Sequence, residues 1–268
     1  MPDRTGETTL LQNGRVSASS RFVHLFDTMA HSIPTPSAPG TPLEDRTVGE
    51  LVAAHPGLSR VFQRHAIDFC CQGGRTVREA CGMKGVALDR LADELREALA
   101  GPAPQTANPA ELAPTELITH IVERHHGYLQ RELPRLHAMA ERVAQRHGGH
   151  TPSLIEVFHV VDTLAAELDS HMQKEEIALF PAISALFGAG QAAPLEAPIE
   201  CMMQEHSEAG DCLVRLRELT SGFVPPPEAC NTYRALFAGL ADLENDLHTH
   251  IHLENSVLFP AAMQRQQT

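Results

Sequence analysis

"HMQKEEIALFP", residues 171–181, recurs in the same chain as "HIHLENSVLFP", residues 250–260. The match extends upstream: Leu164, Leu168, His171, Glu175 and Leu179 correspond to Leu243, Leu247, His250, Glu254 and Leu258. Each pair is 79 residues apart, as His171 is from His250. Within each set the steps are four, three, four and four, one face of an α-helix. The histidine and glutamate therefore share a stripe with leucines and are predicted to point into a helical core. An imidazole or an ionised carboxylate in such a core is costly without a partner. One His–Glu pair can satisfy itself by hydrogen bonding, but two carboxylates in the same register repel each other. A cation between them removes the repulsion.

The repeat also predicts where further ligands lie. Ile118, Val122, His126, Leu129 and Leu133 make one apolar stripe, and Met202, His206, Ala209, Leu213 and Leu216 make another. His126 precedes His171 by 45 residues and His206 precedes His250 by 44. Each helical hairpin thus offers one histidine on its first helix and His-x-x-x-Glu on its second. The candidate metal ligands are His126, His171, Glu175, His206, His250 and Glu254. Six are too many for a tetrahedral zinc and too rich in nitrogen for magnesium or calcium. Two non-haem iron ions bridged by Glu175 and Glu254 use every ligand, with manganese or a mixed pair as the alternative. His125 is the alternative to His126 as ligand. Glu167 and Asp246, each four residues before a ligand histidine, are candidates to orient the imidazoles, and Glu205, beside His206, is a weaker one. Glu176 points off the stripe and nothing special is expected of it. His252, nearly opposite His250, and His120, His137, His147 and His248 are read as solvated.

The rest of the chain is consistent with an all-α protein. Residues 1–42 read as a disordered extension, 43–100 as a small helical domain, 101–114 as a linker and 115–266 as an up-down-up-down four-helix bundle. The bundle helices are expected over Thr115–Gln145, Ser153–Leu186, from Pro198 to Leu219, and from "VPPPE" to Gln264. Ser153 with Glu156, and Thr47 with Glu50, have capping-box spacing. The "LFP" ends are expected to stop or kink their helices. The formal charge of −13 excludes the basic footprint that nucleic acid or an anionic membrane requires. No apolar run approaches the ~18 residues of a membrane span, and the N-terminus lacks the order of a secretory signal. Six cysteines, two of them adjacent, do not form a disulfide framework and suggest a reducing cytoplasm.

Those adjacent cysteines sit in "IDFCCQGG", residues 67–74, where Gly73 and Gly74 suit a helix C-terminus. A disulfide between neighbours is strained, so Cys70 and Cys71 are read as thiols. Near a helix end one of them can react or bind a soft metal; the alternative is two small buried hydrophobes. Cys81, Cys201, Cys212 and Cys230 are read as structural.

A helical segment with "DFCC-x-G-G", a linker, and a bundle with "HM-x-KEE-x-x-LFP", "EH-x-EAG" and "H-x-x-LEN-x-x-LFP" resembles the repair-of-iron-centres family of hemerythrin-like proteins. "ELP" (Glu132 to Pro134) and "VPPPEAC" before the fourth bundle helix add to the resemblance, which spans about residues 43–264. It implies a carboxylate-bridged di-iron centre on the same six ligands, functional acids at Glu167 and Glu205, and functional thiols at Cys70 and Cys71. It further implies a stress-response protein that restores iron–sulfur clusters damaged by nitric oxide or oxidants, with damaged iron–sulfur proteins as clients. Neither nucleic acid nor membrane is an expected partner, and a homodimer is allowed. Nitric oxide reduction or scavenging, and oxygen binding by a hemerythrin-like sensor, are the alternatives. Whether the protein is an enzyme stays open at this point.

Overall fold

The computed structural model describes residues 37–38, 40–101, 107–188 and 193–267. The reading of an N-terminal extension therefore lies outside the described residues up to residue 36, as do residues 102–106 of the expected linker. Among the described residues there are eight α-helices and no β-strand; Thr47 and Thr76 form an isolated bridge.

Four short helices come first: α1 (Val48–Ala54), α2 (Ser59–Arg64), α3 (Val77–Lys84) and α4 (Leu88–Ala100). Thr47 caps α1 by accepting the Glu50 N–H at 3.3 Å, but the Glu50 carboxylate turns to Arg46, so only half of the expected capping box forms. A complete box closes at α3 instead, between Thr76 and Glu79. Leu51, Leu58, Phe62, Val77, Leu91 and Leu95 pack into a core that also takes in Ile251 from the last helix of the chain. Gly73 and Gly74 do not end a helix, which corrects that expectation. The loop carrying them is pressed against α1, and a Cβ on Gly73 would meet the Phe69 carbonyl oxygen at 2.5 Å and Gly49 Cα at 3.1 Å.

The bundle follows. Helix α5 comprises Pro114–His120, a π-helical turn at Ile121–His126, and Gly127–His147. Helix α6 comprises Ser153–Lys174, a π-turn at Glu175–Leu179, and Phe180–Phe187. Helix α7 is Glu196–Leu219, and α8 comprises Asn231–Leu253, a π-turn at Glu254–Leu258, and Phe259–Gln266. Ser153 is the first residue of α6 rather than its cap, and Glu156 pairs with Arg215. The helices do not stop at "LFP". Pro181 and Pro260 lie in the first turn of continuing α-helix, each directly after a π-turn. A proline ring has no N–H and crowds the carbonyl four residues back, and the wider i→i+5 turn absorbs both defects.

Two apolar clusters fill the bundle. One is built from residues such as Leu133, Leu164, Leu213 and Leu243, the other from Ile121, Phe180, Ile199 and Phe259. The six candidate ligands lie where the two clusters meet along the helices. The site is thus a buried polar plug in an apolar core.

Candidate metal centre

Three of the four bundle helices bring ligands to the site at their π-turns. His126 ends the first, Glu175 begins the second and Glu254 begins the third. A π-turn shifts the direction of the side chains that follow it, which is why such turns collect at functional sites. His171 and His250 lie one turn before their glutamates on regular helix, and His206 projects from α7.

The structure brings all six together, and each is buried. Their donor atoms form two groups, His126–Glu175–His250–Glu254 and His171–Glu175–His206–Glu254, each with all atoms within 4.8 Å of one another. Both glutamates belong to both groups. His126 Nε2 and His171 Nε2 approach Glu175 Oε2 at 3.3 and 3.4 Å, and His206 Nε2 and His250 Nε2 approach Glu254 at 3.0 Å. His126 Nε2, both Glu175 oxygens and Glu254 Oε2 are buried with no hydrogen-bond partner among the described residues. A buried carboxylate in that state is costly, and a cation is the partner this donor set fits.

The electrostatics say the same. Burial and the facing Glu254 push the Glu175 carboxyl up to about 8. Glu254 is also buried, yet His250 and His206 hold it well below the usual range. Burial and the neighbouring His206 lower His171 to about 4, and burial lowers His250. Without a cation, Glu175 therefore keeps its proton up to about pH 8 while Glu254 is ionised.

The outer contacts fix the rings. His126 Nδ1 lies 2.8 Å from Glu176 Oε1, His171 Nδ1 2.8 Å from Glu205 Oε2, and His206 Nδ1 2.9 Å from Asn255 Oδ1. A partner at Nδ1 leaves Nε2 to face the centre, as a ligating imidazole needs. His250 stacks on His125 with ring centroids 5.4 Å apart. His125 is itself held by Asp246 at 3.1 Å, so Asp246 orients His125 and not a member of the six. Glu205 also pairs with Lys174; burial alone would raise its carboxyl, but Lys174 and His171 lower it. Glu167 is exposed at the mouth of a cavity of about 280 Å³ that also touches His171, Lys174, Glu205, His206 and Glu208.

Three expectations fail here. Glu176 holds His126, although it sits off the leucine stripe. His252 is buried rather than solvated, because the small domain packs on the back of α8: Phe69 meets the His252 ring edge-on at 5.7 Å, and burial lowers His252 to about 4. His248 is half-buried against the same phenylalanine. Asn255, which the sequence did not single out, was signalled only by its place one residue after Glu254, matching Glu176 after Glu175.

The cysteine loop lies on this same side. Asp68 Oδ1 accepts the Cys70 and Cys71 N–H groups at 3.0 and 2.9 Å and faces the Cys70 thiol at 3.2 Å. Cys70 is buried and Cys71 half-buried, and all six cysteines are free thiols. The hydrogen bond to Cys71, burial and Asp68 raise the Cys70 thiol well above its ordinary value. For Cys71 the bond from Cys70 lowers it, but burial and the Asp68 and Asp211 carboxylates outweigh that. Their surroundings thus favour the protonated thiol at both positions, and Asp68, Cys70 and Cys71 bring their donor atoms within 4.8 Å of one another.

Comparison with known proteins places the chain. Residues 117–262 match the Hemerythrin HHE cation binding domain, and residues 44–99 match a Domain of Unknown function, DUF542. The protein named "Iron-sulfur cluster repair protein YtfE" from Edwardsiella ictaluri is 40% identical over 219 residues, 82% of this chain and 97% of its own length. The chain belongs to the YtfE family. Relatives of the same name from Pectobacterium carotovorum subsp. carotovorum and Escherichia coli O1:K1 are 38% and 36% identical, each over 82% of this chain and 97% of the relative. The resemblance to hemerythrin-like repair-of-iron-centres proteins is borne out, as is the all-α, hemerythrin-like bundle. No described helix is long and apolar enough to cross a membrane.

Proposed function

We propose that this protein holds two iron ions in a carboxylate-bridged, non-haem centre and uses it to repair iron–sulfur clusters damaged by nitric oxide or oxidants. The observation that carries the reading is the sharing of Glu175 and Glu254 between two buried four-donor groups. Each group supplies two imidazoles and two carboxylates, a donor set that suits iron. The repair function is supported by the printed names of relatives that align over nearly their whole length.

When bound, the metal pair supplies exchangeable ferrous ion and Lewis-acidic positions. The chain's own residues do the rest. Glu176, Glu205 and Asn255 hold three imidazoles in the tautomer that presents Nε2. Glu175 gives up its proton as positive charge arrives, so loading releases protons. The two apolar clusters exclude water above and below. The cavity beside His171 and His206 is the route by which a small ion or molecule reaches the site, with Glu167, Glu205 and Glu208 lining it. Carboxylates that can change their bridging mode retain a ferrous ion less tightly than a thiolate cage would, which suits a donor. The clients are damaged iron–sulfur proteins, the setting is cytoplasmic, and nucleic acid and membrane are not partners; the chain works as a monomer or a homodimer.

The test is restoration of a nitrosylated aconitase by iron-loaded protein under anaerobic conditions. Recovery of aconitase activity with matching loss of iron from the protein is expected, and recovery without any loss of iron refutes donation. The same cavity favours a second reading, turnover of nitric oxide at the centre. Nitrous oxide formed by the reduced protein in the absence of any client supports that reading instead.

A further inference from the structure

We propose that Asn255 is a positioning residue that ties His206 to the vicinal-cysteine loop, so that metal retention and the accessibility of Cys71 depend on each other. The inference rests on the reading of the six residues as metal ligands.

Asn255 is 4% exposed and uses both ends of its amide. Its Oδ1 lies 2.9 Å from His206 Nδ1, and its Nδ2 donates to the Cys70 carbonyl oxygen at 3.2 Å. The orientation is not arbitrary. A carbonyl can only accept, so the amide nitrogen must face Cys70 and the oxygen must face His206. His206 Nδ1 then carries its proton, and Nε2, 3.0 Å from Glu254 Oε2, keeps its lone pair for a ligand. A second contact runs in parallel: the Cys71 thiol donates to the His206 backbone carbonyl at 3.3 Å. One turn further along α7, a Cβ on Gly210 would come within 3.3 Å of that sulfur. The same histidine is therefore held by side chain and by backbone, and both holds lead to one loop.

The loop cannot move one of these contacts without the other. Asp68 clamps both cysteine N–H groups with one oxygen atom, so the Cys70 carbonyl and the Cys71 sulfur shift together. The small domain is also seated tightly on the π-turn that begins at Glu254. A Cβ on Gly49 would lie 2.5 Å from Ser256 Oγ, and one on Gly73 3.2 Å from it.

The repeat isolates what is special about Asn255. Its counterpart 79 residues earlier is Glu176, which orients His126 in the same way but with a carboxylate. A carboxylate accepts from an imidazole and has nothing to donate to a backbone carbonyl. The amide appears in the one hairpin whose π-turn lies under the cysteine loop. Of the four ligand histidines, His206 is the one whose orienting partner is shared with that loop.

The test uses the full-length protein loaded anaerobically with ferrous iron, its iron content measured first. In the wild type, iron loading is expected to slow alkylation of Cys71 by iodoacetamide severalfold, read by mass spectrometry. Asn255→Leu is expected to release iron to a ferrous chelator about 10- to 100-fold faster, the usual cost of losing an orienting partner. Asn255→Asp keeps the acceptor for His206 and loses the donor to Cys70. It is expected to restore slow release while the slowing of Cys71 alkylation by iron falls by at least half, which a merely structural role would not produce. Wild-type alkylation indifferent to iron overturns the inference without recourse to any variant. So does wild-type release from Asn255→Leu that binds two irons, and in that case the metal-centre reading survives. Wild-type protein that takes up no iron defeats both.

Discussion

The two helical hairpins of the bundle contribute the same three candidate ligands and differ in almost everything around them. In α5–α6 the residue after the shared glutamate is Glu176, with its side chain reaching solvent, and the next, Ile177, is 77% exposed. In α7–α8 the corresponding residues are Asn255 and Ser256, both under the small domain. Gln173 is exposed where His252 is buried against Phe69. Glu205, which orients His171 and borders the cavity, corresponds to His125, which stacks on His250 and is sealed by Asp246. The inner candidate ligands follow the 79-residue repeat, and the outer contacts do not. One flank of the centre opens to a cavity and the other is closed by the domain carrying the Cys70–Cys71 loop. A site needed only for structure has no use for that asymmetry; one that must exchange something on one side does.

The comparison breaks most severely at the shared carboxylates. Glu175→Leu removes a donor from both four-atom groups, and metal analysis is expected to show two irons per chain falling to one or none. Glu254→Leu should behave alike, since it serves both groups as well. If either variant keeps both irons, the sharing of the glutamates is wrong.

Next in size is the orienting carboxylate of the open hairpin. Glu176→Ala should weaken metal retention about 10- to 100-fold through His126, measured by competition with a chelator. An unchanged affinity would mean that Glu176 is a bystander and that the two hairpins are oriented by different means.

A pH effect follows in the metal-free protein. The unfolded chain ionises Glu175 near 4.5, whereas the folded site holds it up to about 8, so the folded state loses stability as pH rises between the two. His126 and His206, raised because their glutamate partners outweigh burial, act in the same direction above about 6.5. His171 and His252, lowered to about 4, act oppositely: the unfolded chain protonates them near 6.5, so they add stability as pH rises from 4 to 6.5. Melting temperature without metal should therefore fall from about pH 6.5 to 8, and Glu175→Gln should remove most of that fall. A flat profile in the wild type over that range would contradict the assigned charge states.

The smallest effect is expected at the cavity rim. Lys174 is close to half exposed where it pairs with Glu205, and such pairs contribute about 0–1 kcal/mol. Lys174→Met should leave thermal stability within about 1 kcal/mol of the wild type. A larger loss would show that Lys174 supports the fold and not merely Glu205.

Much of this was legible in the chain because the ligands obey helical spacing. Leu164 to Leu179 and Leu243 to Leu258 define one face, and a histidine and glutamate on that face have only the core to enter. What escaped the spacing had other causes. Glu176 lies off the α-helical stripe, but the π-turn starting at Glu175 widens the helix and brings it to His126. His252 escapes the spacing because α8 is packed on two sides, by the bundle and by the domain holding Phe69. The capping spacing of Ser153 and Glu156 had no structural consequence because Pro152 takes the cap position and Arg215 competes for the carboxylate. Pro181 and Pro260 read as helix ends for want of any sequence marker for a π-turn.

The central claim is a pair of metal ions bridged by Glu175 and Glu254, and Mössbauer spectroscopy of the wild-type protein, with metal analysis of the same sample, tests it most directly. The account predicts two irons per chain in a magnetically coupled pair. A single isolated iron, one zinc, or no metal would contradict it.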